Sequence, residues 1–117
     1  MSDVRKILND FMGGLGKFGE ELPSVTQSFM GLLGSVYQEG ALSVKNKEMI
    51  SVAIGVYNRC EYCIVFHVYK ALEAGATPQE IYEAAGVAVA LGGGPSVAYT
   101  VTLLREAVET FKEDFKK

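Results

Sequence analysis

Apolar positions recur at intervals of three and four along nearly the whole chain, and no stretch alternates with period two, a pattern that predicts an all-α fold. Val4, Ile7, Leu8 and Phe11 mark one face of a first helix. Gly13, Gly14, Gly16 and Gly19 follow, and their poor helix propensity predicts a bend or loop over residues 12–22. Pro23 and Ser24 reopen the pattern, and Val25, Phe29, Leu32 and Val36 place a second amphipathic helix that ends near Gly40. Ser43 is a cap for a third helix running to Tyr57. From Ser51 to Tyr57 this helix is apolar on almost every side, which marks a buried central element, and Gly55 would let a neighbouring helix come close. Asn58 and Arg59 break the run. A fourth helix carries Cys60 to Ala74, with Gly75 as a left-handed stop. Thr77-Pro78-Gln79-Glu80 is a capping box that opens a fifth helix to about Leu91, whose Ala84, Ala85, Gly86, Ala88 and Ala90 suit close packing. Gly92-Gly93-Gly94 ends it and Pro95 starts a sixth. There Val97, Val101, Leu104, Val108, Phe111 and Phe115 form a heptad-like seam, able to dock on this domain or on another subunit. The expectation is one all-α domain of about six helices spanning residues 1–117.

The chain of 117 residues suits a single domain that can build a core without metal or disulfide staples. Its hydrophobic content of 49% is generous for that size, which points to apolar surface covered by a second subunit. Eleven basic and 14 acidic residues leave a formal charge of −3, which argues against a general nucleic-acid binder. No apolar run approaches the roughly 20 residues needed to span a bilayer, so no membrane partner is expected. Residues 1–6 read as mixed polar sequence without a signal-peptide core, and the expected location is cytoplasmic. In that reducing compartment, two closely spaced cysteines are more often catalytic or metal-binding than a structural staple.

Those two cysteines and the one histidine of the chain fall within Cys60-Glu61-Tyr62-Cys63-Ile64-Val65-Phe66-His67. At about 100° per residue, Cys63 lies about 60° and His67 about 20° from Cys60 around a helix that begins at or before Cys60. All three then share one face. Cys60 sits where free N–H groups and the helix dipole stabilise a thiolate. His67, four residues beyond Cys63, is in reach for proton exchange with that thiol, directly or through one water. The parts suit a cycle in which a thiolate is oxidised and its neighbour resolves it to a disulfide. Two other readings stay open. The cysteines could be plain buried thiols, or Cys60, Cys63 and His67 with a carboxylate could hold a metal. Glu61 lies on the other side of the helix and suits the dipole at the helix start. Glu48, at the entry of the third helix, is read from its neighbours alone as a solvated carboxylate beside Lys45 and Lys47. Gly92-Gly93-Gly94-Pro95 lacks any phosphate-loop spacing, and Met12, Met30 and Met49 support no cofactor reading, so no cofactor is expected. The phenylalanines and tyrosines read as ordinary core or interface residues.

Glu48, Cys60, Cys63 and His67 together spell Glu-x11-Cys-x-x-Cys-x-x-x-His. This arrangement resembles the alkylhydroperoxidase D-like family within the carboxymuconolactone decarboxylase superfamily. The similarity runs from about Leu42 to Gly93 and includes Gly75-Ala76-Thr77-Pro78-Gln79-Glu80-Ile81. The resemblance implies an all-helical subunit of a homotrimer or homohexamer. It also implies thiol-dependent reduction of hydroperoxides, with electrons returned by a dithiol donor or partner protein. In such proteins the residue matching Glu48 is a base in a proton relay through the histidine matching His67 and water. The cysteine matching Cys63 is the activated thiol, and the one matching Cys60 completes the disulfide. Where the name-giving members carry a histidine just before the second cysteine, this chain has Tyr62. Tyr62 is therefore a candidate supporting residue, and the relay is expected to be shorter. The lactone decarboxylases of the superfamily lack the cysteine pair, so its presence points away from decarboxylation. The rival expectations are a non-redox enzyme of decarboxylase type using Glu48 and His67 as acid and base, and a metal-binding structural oligomer.

Overall fold

The computed structural model describes residues 3–116. Asp3 opens the first helix, its carboxylate accepting the Lys6 backbone N–H at 3.1 Å and so satisfying one of the unpaired donors of a helix start. Helix α1 then runs over Val4–Glu21 in one piece, which corrects the bend predicted over residues 12–22. Each interior glycine costs about 1 kcal/mol relative to alanine. That cost is offset because Val4 and Leu8 are buried in the core and the second half of α1 packs along α2, Pro23–Val36. The chain turns at Leu22 instead, where the Thr26 hydroxyl donates to the Leu22 carbonyl at 2.9 Å. Helix α2 ends at Val36, short of the Gly40 expected. Lys47 explains the earlier stop: its ammonium donates to the carbonyls of Val36 at 2.9 Å and Gln38 at 2.6 Å, placing a cation at the negative end of the helix dipole.

Helix α3, Val44–Tyr57, starts as predicted at Ser43, whose hydroxyl accepts the Asn46 N–H at 3.0 Å. Its Val52 and Val56 are fully enclosed by α4, Glu61–Glu73, and α5, Pro78–Gly92. Burial of one such side chain contributes about 1.5–3 kcal/mol. The helix is central but not buried all round: Ile50, Ile54 and Tyr57 are exposed beside Val87 and Leu91 of α5 and line an apolar groove with them. The capping box of α5 forms in full, Thr77 Oγ1 accepting the Glu80 N–H at 3.1 Å and Glu80 Oε1 accepting the Thr77 N–H at 2.9 Å. The Thr77 N–H, and after it Lys45 at 3.1 Å, hold the Glu80 carboxyl below its usual range.

The chain closes with α6, Gly94–Tyr99, a π turn at Thr100–Leu104, α7, Arg105–Phe111, and a 3-10 turn at Lys112–Phe115, in direct succession. The wider π turn shifts the helical phase, and the predicted seam splits there. Leu104, Val108 and Phe111 are buried in this domain and Phe115 packs against its core, whereas Val97 and Val101 are exposed. Arg5 binds the first helix to the last segment, lying over the Phe111 ring at 5.0 Å and donating to both Asp114 carboxylate oxygens at 2.7 and 3.0 Å. Among the described residues there is no strand, and no helix is long and apolar enough to cross a membrane.

Candidate active site

The junction between α3 and α4 places the cysteines. Arg59 adopts a left-handed backbone at φ 55°. Its N–H reaches the Val56 carbonyl at 3.1 Å, and the Cys60 N–H reaches the Gly55 carbonyl at 3.0 Å. These two bonds form a Schellman stop. Cys60 then serves a second helix at once, because its sulfur accepts the Cys63 N–H at 3.3 Å as the N-cap of α4. Cys60 and Cys63 are joined as a disulfide with Cα atoms 5.2 Å apart. Glu61 lies exposed in the first turn, where the dipole favours a carboxylate. The close approach expected at Gly55 is made to Cys63 itself: a Cβ at Gly55 would stand 3.1 Å from Cys63 Cβ and 3.3 Å from the Ile64 nitrogen.

Glu48 is only 3% exposed, against the expectation of a solvated carboxylate. The two lysines beside it in sequence are committed elsewhere, Lys45 to Glu80 and Lys47 to the α2 carbonyls. The carboxylate turns inward, and His67 Nδ1 meets Glu48 Oε1 at 2.6 Å. With Glu48 ionised, Nδ1–H is the donor, and in the neutral imidazole the lone pair then sits on Nε2. Phe66 touches the imidazole edge-on at 5.1 Å, and Tyr37 stacks on its face at 5.9 Å with 22° between planes.

Cys63, His67 and Glu48 open onto one cavity of about 480 Å³ between α4 and the α1–α2 hairpin. Phe11, Leu15, Phe29, Met30 and Leu33 supply its apolar wall. Cys63 lines this cavity and Cys60 does not. Tyr62 sits at its outer side, half-exposed, with its ring 6.3 Å from that of Phe11. The cavity therefore gathers Glu48, Cys63, His67 and Tyr62 of the candidate residues and leaves Cys60 behind the disulfide. Phe11, Phe29 and Tyr37, read from sequence as ordinary packing residues, belong to it too. One signal was present: Cys63, Phe66, His67 and Lys70 repeat at three, four and seven on α4, and this stripe faces the hairpin. A larger hollow of about 670 Å³ over the π turn has neither thiol nor imidazole in its lining. Among the described residues no three His, Cys, Asp or Glu side chains are grouped to hold a metal ion.

Fold and site together define a small all-α protein with a Cys-x-x-Cys disulfide at a helix start, beside a buried carboxylate–imidazole couple. The chain belongs to the carboxymuconolactone decarboxylase family, whose sequence model matches residues 23–106. A carboxymuconolactone decarboxylase family protein from Legionella pneumophila superposes with a TM-score of 0.88 at 38% identity, covering 93% of this chain and 96% of that one. A family member from Thermotoga maritima, suggested to take part in an antioxidative response, superposes with a TM-score of 0.64 at 29% identity over 88% of this chain and 97% of its own. An uncharacterized protein of Cupriavidus necator is 31% identical over 98 residues, 84% of this chain and 87% of that one.

Proposed function

We propose that the protein is a thiol-dependent oxidoreductase that reduces organic hydroperoxides through a Cys60–Cys63 dithiol–disulfide cycle. The observation that carries this reading is the buried Glu48–His67 bond opening onto the same cavity as Cys63. In the reduced protein His67 Nε2 takes the Cys63 thiol proton, directly or through a water, while Glu48 stabilises the imidazolium. The Cys63 thiolate attacks the terminal peroxide oxygen. A sulfur–oxygen bond forms, the O–O bond breaks, and the leaving alkoxide takes the proton back from His67 as alcohol. The Cys60 thiol then attacks the Cys63 sulfenic acid, forming the disulfide and releasing water. A dithiol donor or partner protein returns two electrons and two protons, as the reducing cytoplasm would supply. The apolar wall of the cavity suits an organic rather than a bare peroxide.

The test is hydroperoxide consumption with a dithiol reductant by wild type and by C60S, C63S and the double variant, with thiols titrated before and after peroxide. Wild type should lose two thiols together, and C63S should be inactive. A double variant as fast as wild type would overturn the reading. Turnover of a non-peroxide substrate that survived loss of both thiols would move the assignment to acid–base chemistry by Glu48 and His67. We also propose a homo-oligomer, a trimer or a hexamer. It is supported by the exposed apolar side chains of α2 and by Ile50, Ile54, Val87 and Leu91 on the α3–α5 face, and light scattering of the eluted protein tests it.

A further inference from the structure

An imidazole held through one nitrogen can still tilt about that bond. His67 has its Nδ1 on Glu48 and one edge against Phe66. Tyr37 stacks against the same ring, with centroids 5.9 Å apart and 22° between planes. We propose that Tyr37 is a positioning residue, which sets the plane of His67 and thereby keeps the proton on Nδ1 and the lone pair of Nε2 toward the cavity.

Tyr37 can set that plane because its own position is referenced to the turn of α3 that carries Glu48. The Ser51 hydroxyl has a single proton and donates it to the Lys47 carbonyl at 2.9 Å. The short bond between Tyr37 and Ser51 therefore has the tyrosine O–H as donor. The chain runs from Tyr37 O–H to Ser51 Oγ–H to the Lys47 carbonyl. The side chain of the same Lys47 holds the carbonyls of Val36 and Gln38, on either side of Tyr37 in sequence. Lys47 and Ser51 flank Glu48 on α3. The ring that stacks on the imidazole and the carboxylate that bonds it thus share one frame. Tyr37 lies just past the end of α2, and this tether fixes the hydroxyl end of its ring to α3.

The test uses the fact that the chain has one histidine. Imidazole 15N resonances of the reduced protein report the tautomer of His67 without assignment, and the pH profile of Cys63 alkylation in C60S reports its effect on the thiol. Wild type should show the Nδ1–H tautomer alone. Y37L should mix the two tautomers, flatten the alkylation profile and lower kcat about tenfold with KM nearly unchanged, as a misplaced base does. Y37F and S51A keep the stack but cut the tether, and each should lower kcat about threefold, the worth of one hydrogen bond. A Y37L protein with wild-type tautomer and alkylation profile overturns the proposal. If Y37L does not fold, wild-type behaviour of both Y37F and S51A overturns it. The kinetic arm rests on the peroxidase reading and the 15N arm does not. Wild type that consumes no hydroperoxide sinks the proposed function, while the tautomer comparison still decides the role of Tyr37.

Discussion

One wall of the cavity is made by α3 and α4, whose other faces carry Val52, Val56, Ile64, Val65 and Val68 with no solvent exposure at all. The opposite wall is made by the α1–α2 hairpin, where Phe29 and Met30 are half-exposed and no α2 side chain is fully enclosed. Glu48, Cys63 and His67 stand on the first wall, and Cys60 caps α4 beside it. The second supplies apolar surface, including Phe11 and Phe29, and the Tyr37 ring that stacks on His67. Close-packed elements hold reacting groups to within fractions of an ångström. The hairpin, less enclosed within this chain, presents apolar surface to a substrate. On the proposed function, the division puts the reacting groups on the inner wall and leaves selection, with the positioning by Tyr37, to the outer one.

That division can be broken most easily at Glu48. Glu48→Gln removes the charge behind His67 and should lower hydroperoxide turnover about 100-fold, in the range of general acid–base effects, as measured by initial rates with a dithiol donor. Gly55→Ala tests whether the inner wall tolerates movement. Its methyl would press on Cys63 Cβ and the α4 backbone, and denaturant unfolding should show a loss of about 1–3 kcal/mol. Phe29→Ala tests the outer wall. KM for a bulky hydroperoxide should rise about fivefold, the worth of roughly 1 kcal/mol of apolar contact, with kcat nearly constant. An equal fall in kcat would extend the chemistry beyond Tyr37 into the body of α2 and end the distinction. The smallest effect is expected at Arg59→Gly. Glycine relieves the left-handed backbone there and should stabilise the protein by about 0.5–1 kcal/mol in thermal unfolding.

The inner wall was largely legible in the sequence. Ser43, Thr77 and Gly75 announced helix ends by local chemistry, and the structure puts all three to that use. Gly55 was readable as a point of close approach because it interrupts an apolar run. The glycines of α1 misled, since propensity is a local quantity and the packing that overrode it is not. Glu48 was opaque for a related reason. Its lysine neighbours in sequence suggested a solvated face, and only the fold shows that they bond Glu80 and the end of α2. Tyr37 could not be found at all from spacing, because 30 positions separate it from His67 and nothing in its own segment has a chemical role. The π turn was equally hidden, since a regular run of Val97, Val101, Leu104 and Val108 gives no sign of an extra residue in the turn.

The cysteine pair closes a loop between positions only three apart. A cross-link restrains an unfolded chain in proportion to the logarithm of the loop it closes, and so short a loop falls at the low end, about 2 kcal/mol. The sulfur of Cys60 caps α4 in the oxidised form, and a thiol at the same place can accept the same N–H. Opening the bond therefore takes away neither a long-range staple nor a helix start. The stability that rides on the oxidation state is therefore limited to about that 2 kcal/mol.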